Sequence, residues 1–208
     1  MNRYVTGLAV VGMLLSSLTL RAQDRDDKGD QVQKVPGLEL KISAKQTKYP
    51  LLLGGLTGEQ FRQLLKRGEM GEAKMPNPPA VELTIELTNT SNKAIEVYTS
   101  GDPVFFTLDL KGPGAVKANL ARAFTLEFRM PKATTIAPGK SYTTKLTSLT
   151  FGHRGASDGV FWTEPGEYTL SATFTTGIKP PPARAETDES GFARVVIPSN
   201  TIKLQVEK

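Results

Sequence analysis

The residue types best suited to chemistry crowd into one glycine-rich stretch, Phe151–Gly166, which reads FGHRGASDGVFWTEPG and holds the only His and the only Trp of the chain. His153, Asp158 and Ser157 are the base, acid and hydroxyl of a nucleophilic hydrolase. They lie within one loop-like run, and no G-x-S-x-G elbow presents a serine. Glu164 and Glu167 have the chemistry of a glycosidase pair. Such pairs come from separate elements facing across a cleft, so these two are read as flanking a corner and facing water. Soft-metal sites need several Cys or His ligands, and this chain has Cys 0 and His 1. Asp24, Asp26 and Gly29 match the start of a calcium loop, but Lys28 takes the third ligand position and Val35 stands where the bidentate Glu belongs. No catalytic residue, metal site or cofactor is assigned.

His153, Arg154, Phe161 and Trp162 remain as the group to bind a ligand or partner. An aromatic pair beside a guanidinium can hold a sugar ring, a peptide or another protein. The competing and weightier reading is that Phe161 and Trp162 plug the end of a hydrophobic core, since a single Trp in a sandwich is often core.

Strands must position these residues. In Val81–Leu110, three runs of alternating apolar and polar residues are separated by Asn89–Lys93 and Gly101–Pro103. That pattern predicts a β-meander with one buried face, carrying Val81, Leu83, Ile85 and Leu87, then Ile95 and Val97, then Val104, Phe106, Leu108 and Leu110. Further strands are expected at Leu38–Ser43, Phe124–Arg129, Ser141–Leu149 and Tyr168–Thr176, with a brief pairing at Val195–Ile197 and a last strand through Ile202, Leu204 and Val206. Within an insertion over 45–80, Thr57-Gly58-Glu59-Gln60 has the spacing of a capping box. It predicts a short helix with Phe61, Leu64 and Leu65 on one face, ending at Gly68 and lying as a cover over core residues. Phe151–Gly166 and Gly177–Pro198 are read as loops. About eight strands with turn signals between them read as an all-β antiparallel sandwich.

Glu164–Leu170, EPGEYTL, is similar to the tyrosine corner of immunoglobulin-like domains, with Leu170 where antibodies carry the second Cys. Together with ELTNTSNKAIEV, TIAPGKS and a closing strand, it resembles exported bacterial immunoglobulin-like modules, nearest to the intracellular proteinase inhibitor (BsuPI-like) type, over Val81–Val206 with gaps. The resemblance implies an immunoglobulin-like β-sandwich in which Tyr168 bonds a backbone group across the corner. It also places the insertion and the His153 loop at one end and Gly177–Pro198 at the other. No inhibitory residue can be matched by position.

Residues 1–22 read as a secretory signal peptide: Arg3, then an uncharged apolar run from Gly7 to Leu20, then Ala22 as a cleavage position. A flexible charged linker follows over 23–37, and one domain fills 38–208. The formal charge of +5 falls to +3 without Arg3 and Arg21, leaving 24 basic against 21 acidic residues. A small charge without a clustered basic face excludes nucleic acid as a partner. The expectation is an exported, non-enzymatic module for protein or polysaccharide (glycan) interaction, or an envelope component. It has no stable membrane insertion once the leader is removed. The alternative is a secreted protease inhibitor or accessory subunit acting through Gly177–Pro198.

Overall fold

The computed structural model describes residues 35–121, 127–153 and 156–208, with the side chains of Ala121 and His153 left out. The expected leader, most of the linker, the Asp24–Gly29 motif, Phe124, Leu126 and Arg154 lie outside the described residues.

The described residues are mostly β, with one helix. In order it forms β1 (Leu38–Ala44), β2 (Lys48–Pro50), the helix α1 (Gly58–Met70), β3 (Ala80–Asn89), β4 (Ile95–Ser100), β5 (Phe105–Lys111), β6 (Ala115–Ala121), β7 (Lys132–Ile136), β8 (Ser141–Ser148), β9 (Thr150–His153), β10 (Ala156–Trp162), β11 (Gly166–Lys179), β12 (Ala193–Pro198) and β13 (Ile202–Glu207). One sheet has the order β1-β3-β8 and a second β6-β10-β9; the largest runs β2-β13-β11-β4-β7, with β5 and β12 also paired to β11. The strand pairings are antiparallel except β2 on β13. β11 is the spine: Tyr168 faces Leu204, Leu170 faces Leu110, Phe174 faces Ile197 and Ile178 faces Val97.

Alternation builds the main core. A strand sends every second side chain to one face, and Val81, Leu83, Ile85 and Leu87 of β3 are all buried. They join Leu38, Leu40 and Ile42 of β1 and, from the largest sheet, Leu170, Phe174 and Leu204. Each such side chain taken from water contributes about 2 kcal/mol. A second, smaller core holds Phe61 and Leu65 of α1, Ala118 of β6 and Phe161 of β10. Along β10, Val160 and Trp162 belong to the main core while Phe161 turns to the helix.

Several expectations are corrected. Val81–Leu110 is not a meander: its strands form, but β3 pairs with β1 and β8, whereas β4 and β5 both join β11. An apolar row is satisfied equally by a neighbour in its own sheet or by a facing sheet, so alternation carries no information on that choice. Asn89 is fully buried. Its amide donates to the carbonyls of Lys93 and Ile136, and its Oδ1 accepts from the Ser91 N–H and hydroxyl, so the turn winds around this side chain. Phe151–Gly166 contains the hairpin of β9 and β10 rather than a loop. The run from Gly159 to Thr163 is buried without interruption; a strand covered on both faces loses its alternation. In the described part of Phe124–Arg129 no strand forms, Phe128 is exposed, and the strand of that region is β7. The helix begins at its capping box as expected but ends at Gly71, which takes the left-handed conformation (φ 80°). Gly68 stays helical against Met75. The long loop is shorter than Gly177–Pro198, because β11 runs on to Lys179 and β12 starts at Ala193.

Candidate functional site

The described candidate binding residues, His153, Phe161 and Trp162, do not form one group. His153 pairs with Ala156 at the turn of the β9–β10 hairpin. Trp162 closes β10 at its other end, about 20 Å away at the rise of a strand. Arg154 lies outside the described residues. Phe161 is 1% exposed and Trp162 4%, so both rings are packed into cores rather than presented to solvent.

The acids that invited catalytic readings are held by separate cations. Asp158 pairs with Lys117 at 2.8 Å, Glu164 with Arg62 at 2.8 Å and Glu167 with Lys203 at 3.0 Å. Glu164 and Glu167 both reach solvent. Among the described residues no group of three or more His, Cys, Asp or Glu could hold a metal ion, and no helix is long and apolar enough to cross a membrane.

The buried aromatics do border a cleft. It opens where the β2–α1 connection, the segment before β3 and the end of β10 meet, and has a volume of about 340 Å³. Its wall is formed by Tyr49, Pro50, Leu52, Phe61, Phe161 and Trp162, with Gln46 and Asn77–Ala80 at the rim; none of these carries a charge. β2 turns Tyr49 inward between exposed Lys48 and Pro50. The short strand is fixed by its parallel pairing to β13, by the Leu51 N–H donating to the Glu207 carbonyl, and by the Lys48–Glu207 ion pair at 2.9 Å. The Tyr49 ring packs on Trp162 with centroids 5.4 Å apart, and Trp162 packs in turn on Tyr168 at 6.1 Å. Leu52 is 77% exposed, so one wall offers a large apolar side chain directly to solvent.

The helix supplies Phe61, whose ring lies 6.0 Å from that of Phe161. Thr57 and Gln60 complete the capping box by reciprocal bonds. Gly58 lets the helix start come against β10: a Cβ there would collide with the Thr163 carbonyl. Arg62 donates to Glu164, to the Thr163 hydroxyl and to Glu59. Arg62 in turn holds the Glu59 carboxyl below its ordinary range.

Tyr49, Leu52, Pro78 and Pro79 were missed as site residues by the reading from sequence. A signal was present: the run Leu51-Leu52-Leu53 between Pro50 and Gly54 fits neither strand alternation nor the helical stripe that follows.

At the far end of β11 a second cleft, of about 470 Å³, lies beside the 180–192 loop and is bordered by Tyr98, Phe128, Glu186, Asp188 and Phe192. The loop is anchored there. Asp188 accepts from the Tyr98 hydroxyl at 3.0 Å and from the N–H groups of Ser190 and Phe192. Tyr98 and Phe192 stack with centroids 4.0 Å apart. Burial raises the Asp188 pKa, and the donors from Phe192, Tyr98 and Ser190 more than offset it, leaving the carboxyl below its ordinary range. Burial, reinforced by that carboxylate, pushes the Tyr98 phenol up.

No protein-family model matches the chain. A comparison with curated proteins gives no match either.

Proposed function

We propose that the chain is an exported, non-enzymatic interaction module with an immunoglobulin-like β-sandwich architecture, and that a protein partner seats an uncharged apolar side chain in the Trp162 cleft. The observation that carries this reading is the cleft itself: concave, bordered by rings and prolines, free of charge, and fronted by exposed Leu52. Such a surface rewards burial of an apolar side chain and disfavours a charged one. A polysaccharide is the weaker fit, because sugar stacking needs an open ring face and Tyr49, Phe61, Phe161 and Trp162 are all buried. Support for the immunoglobulin-like architecture comes from the corner, where the Tyr168 hydroxyl bonds the Glu164 carbonyl at 2.7 Å. Export rests on the leader-like pattern of residues 1–22.

The test uses the chain as bait against envelope extract and culture medium, in parallel with Leu52→Asp. The exposed position tolerates the change in folding, while a carboxylate in the cleft mouth disfavours an apolar guest. Capture by the natural chain and loss with Leu52→Asp is the expected result. Equal capture by both overturns the cleft as the docking site.

One observation keeps the inhibitor reading as a second proposal. The 180–192 loop projects exposed residues from anchored ends, and Arg184 near its tip holds a left-handed backbone at φ 65°. Deleting Pro180–Ser190 removes protease inhibition under that reading and leaves cleft capture intact.

A further inference from the structure

We propose that α1 is a movable lid at the edge of the Trp162 cleft, held shut by latches at Arg62 and Glu69. This deepens the cleft reading and rests on it for its biological purpose, though the motion itself is tested independently.

The helix is attached to the body by a core of its own. Phe61 and Leu65 pack on Ala118 and Phe161, apart from the main core that joins the facing sheets. A segment with a small separate core opens locally at a free energy below that of global unfolding. Moving α1 therefore leaves the main core intact.

Glycines bound the helix on both sides. Gly54 (φ 62°) and Gly55 (φ 81°) precede the helix and Gly71 (φ 80°) follows it, and a Cβ at any of the three would meet nothing within 4 Å. The left-handed backbone is what requires glycine at these positions, and Gly71 is the C-cap of the helix.

The latches are polar and partly exposed. Near the helix start, Arg62 reaches across to Glu164 at 2.8 Å and to the Thr163 hydroxyl at 2.9 Å. Near its end, Glu69 accepts the Asn119 N–H at 2.8 Å. Partly exposed ion pairs hold weakly and are screened by salt, which makes a contact that can be opened. The cleft takes Phe61 from the helix and Leu52 from the segment before it, against Tyr49 and Trp162 of the body. Displacing the helix takes Phe61 out of the cleft wall beside Trp162 and uncovers Phe161.

The test compares the full chain with Arg62→Ala and with the pair Arg62→Cys and Glu164→Cys, which introduces the only thiols, since the natural chain has none. Two readouts are followed: amide exchange by segment, and acrylamide quenching of Trp162, the single tryptophan. Loss of the Arg62 latch is expected to speed exchange across 58–70 about fivefold while β3 and β11 stay unchanged, and to raise the quenching constant about twofold. Joining the two introduced thiols with a short bis-maleimide is expected to return both readouts to those of the natural chain. The lid is overturned if helix exchange does not change, if it rises together with that of β3 and β11, or if it rises with Trp162 still protected. Failure of the cleft as a docking site shows separately, as partner capture that survives Leu52→Asp with the latch intact.

Discussion

Tyr168 buries its ring completely and points its hydroxyl at the carbonyls of Glu164 and Pro113. Burial pushes its phenol pKa up, so the group stays a donor across the physiological range. Tyr168→Phe leaves these carbonyls short of a partner and is expected to cost about 1–2 kcal/mol, read as a lower urea midpoint with an unchanged slope. An unchanged midpoint would show that the corner bond adds nothing to stability. Asn89 is the more demanding position, because its side chain holds four hydrogen bonds in a fully buried setting. Asn89→Ala is expected to cost about 3 kcal/mol by stranding several of those groups; a loss under about 1 kcal/mol in urea unfolding would mean that water replaces them. The two residues differ in legibility. The corner motif is local, with Glu164 four positions from Tyr168. Asn89 owes its burial in part to the Ile136 carbonyl, 47 positions away, and nothing near Asn89 in sequence announces it.

Elements are held by local rules at their ends and by distant partners along their sides. The N-terminus of α1 was legible because a capping box is a four-residue code. Thr57→Ala is expected to destabilise the helix by about 1 kcal/mol, seen as faster exchange at its first turn. Equal exchange in that turn would show that docking on Ala118 and Phe161, not the cap, holds the helix start. The 180–192 loop follows Asp188. A carboxyl whose folded pKa is depressed contributes stability that is present above its unfolded value, ordinarily 3.8 for Asp, and that is lost as pH falls through the lower folded value. Protection of 186–192, taken relative to the intrinsic exchange rate at each pH, is therefore expected to hold above about pH 4 and to fall below it. Asp188→Asn should lack that protection at all these pH values; protection kept in that variant would assign the anchoring to the Tyr98–Phe192 stack alone.

At the scale of the whole molecule, the described residues form two hydrophobic centres, and these are expected to respond differently to truncation. Leu170 lies in the main core and Leu65 in the core beneath α1, and both are essentially inaccessible. Leu170→Ala is expected to lower global stability by about 2–5 kcal/mol. Leu65→Ala leaves a similar void but is expected to appear mainly as faster exchange of 58–70, with a smaller drop in the urea midpoint. Equal drops would mean that the helix and the sheets unfold as one unit. At this scale the candidate site also changed character. A group chosen for residue type, His153 to Trp162, gave way to a cleft chosen by shape, in which Trp162 is wall and Leu52 the exposed face.

From the sequence alone came the all-β class, most strand positions, the start of the helix, the bond from Tyr168 to a nearby backbone carbonyl and the lack of thiol chemistry. Each is set locally: alternation states which face of a strand leaves water, and a cap or corner is complete within a few residues. Tertiary structure alone decided that β3 parts company with β4 and β5, that β10 is covered on both sides, and that His153 sits at the β9–β10 turn with Trp162 at the far end of β10. The reason is that apolar rows are interchangeable partners. The hydrophobic effect has no direction, so which row meets which, and where a cleft is left between them, follows from packing among segments far apart in the chain.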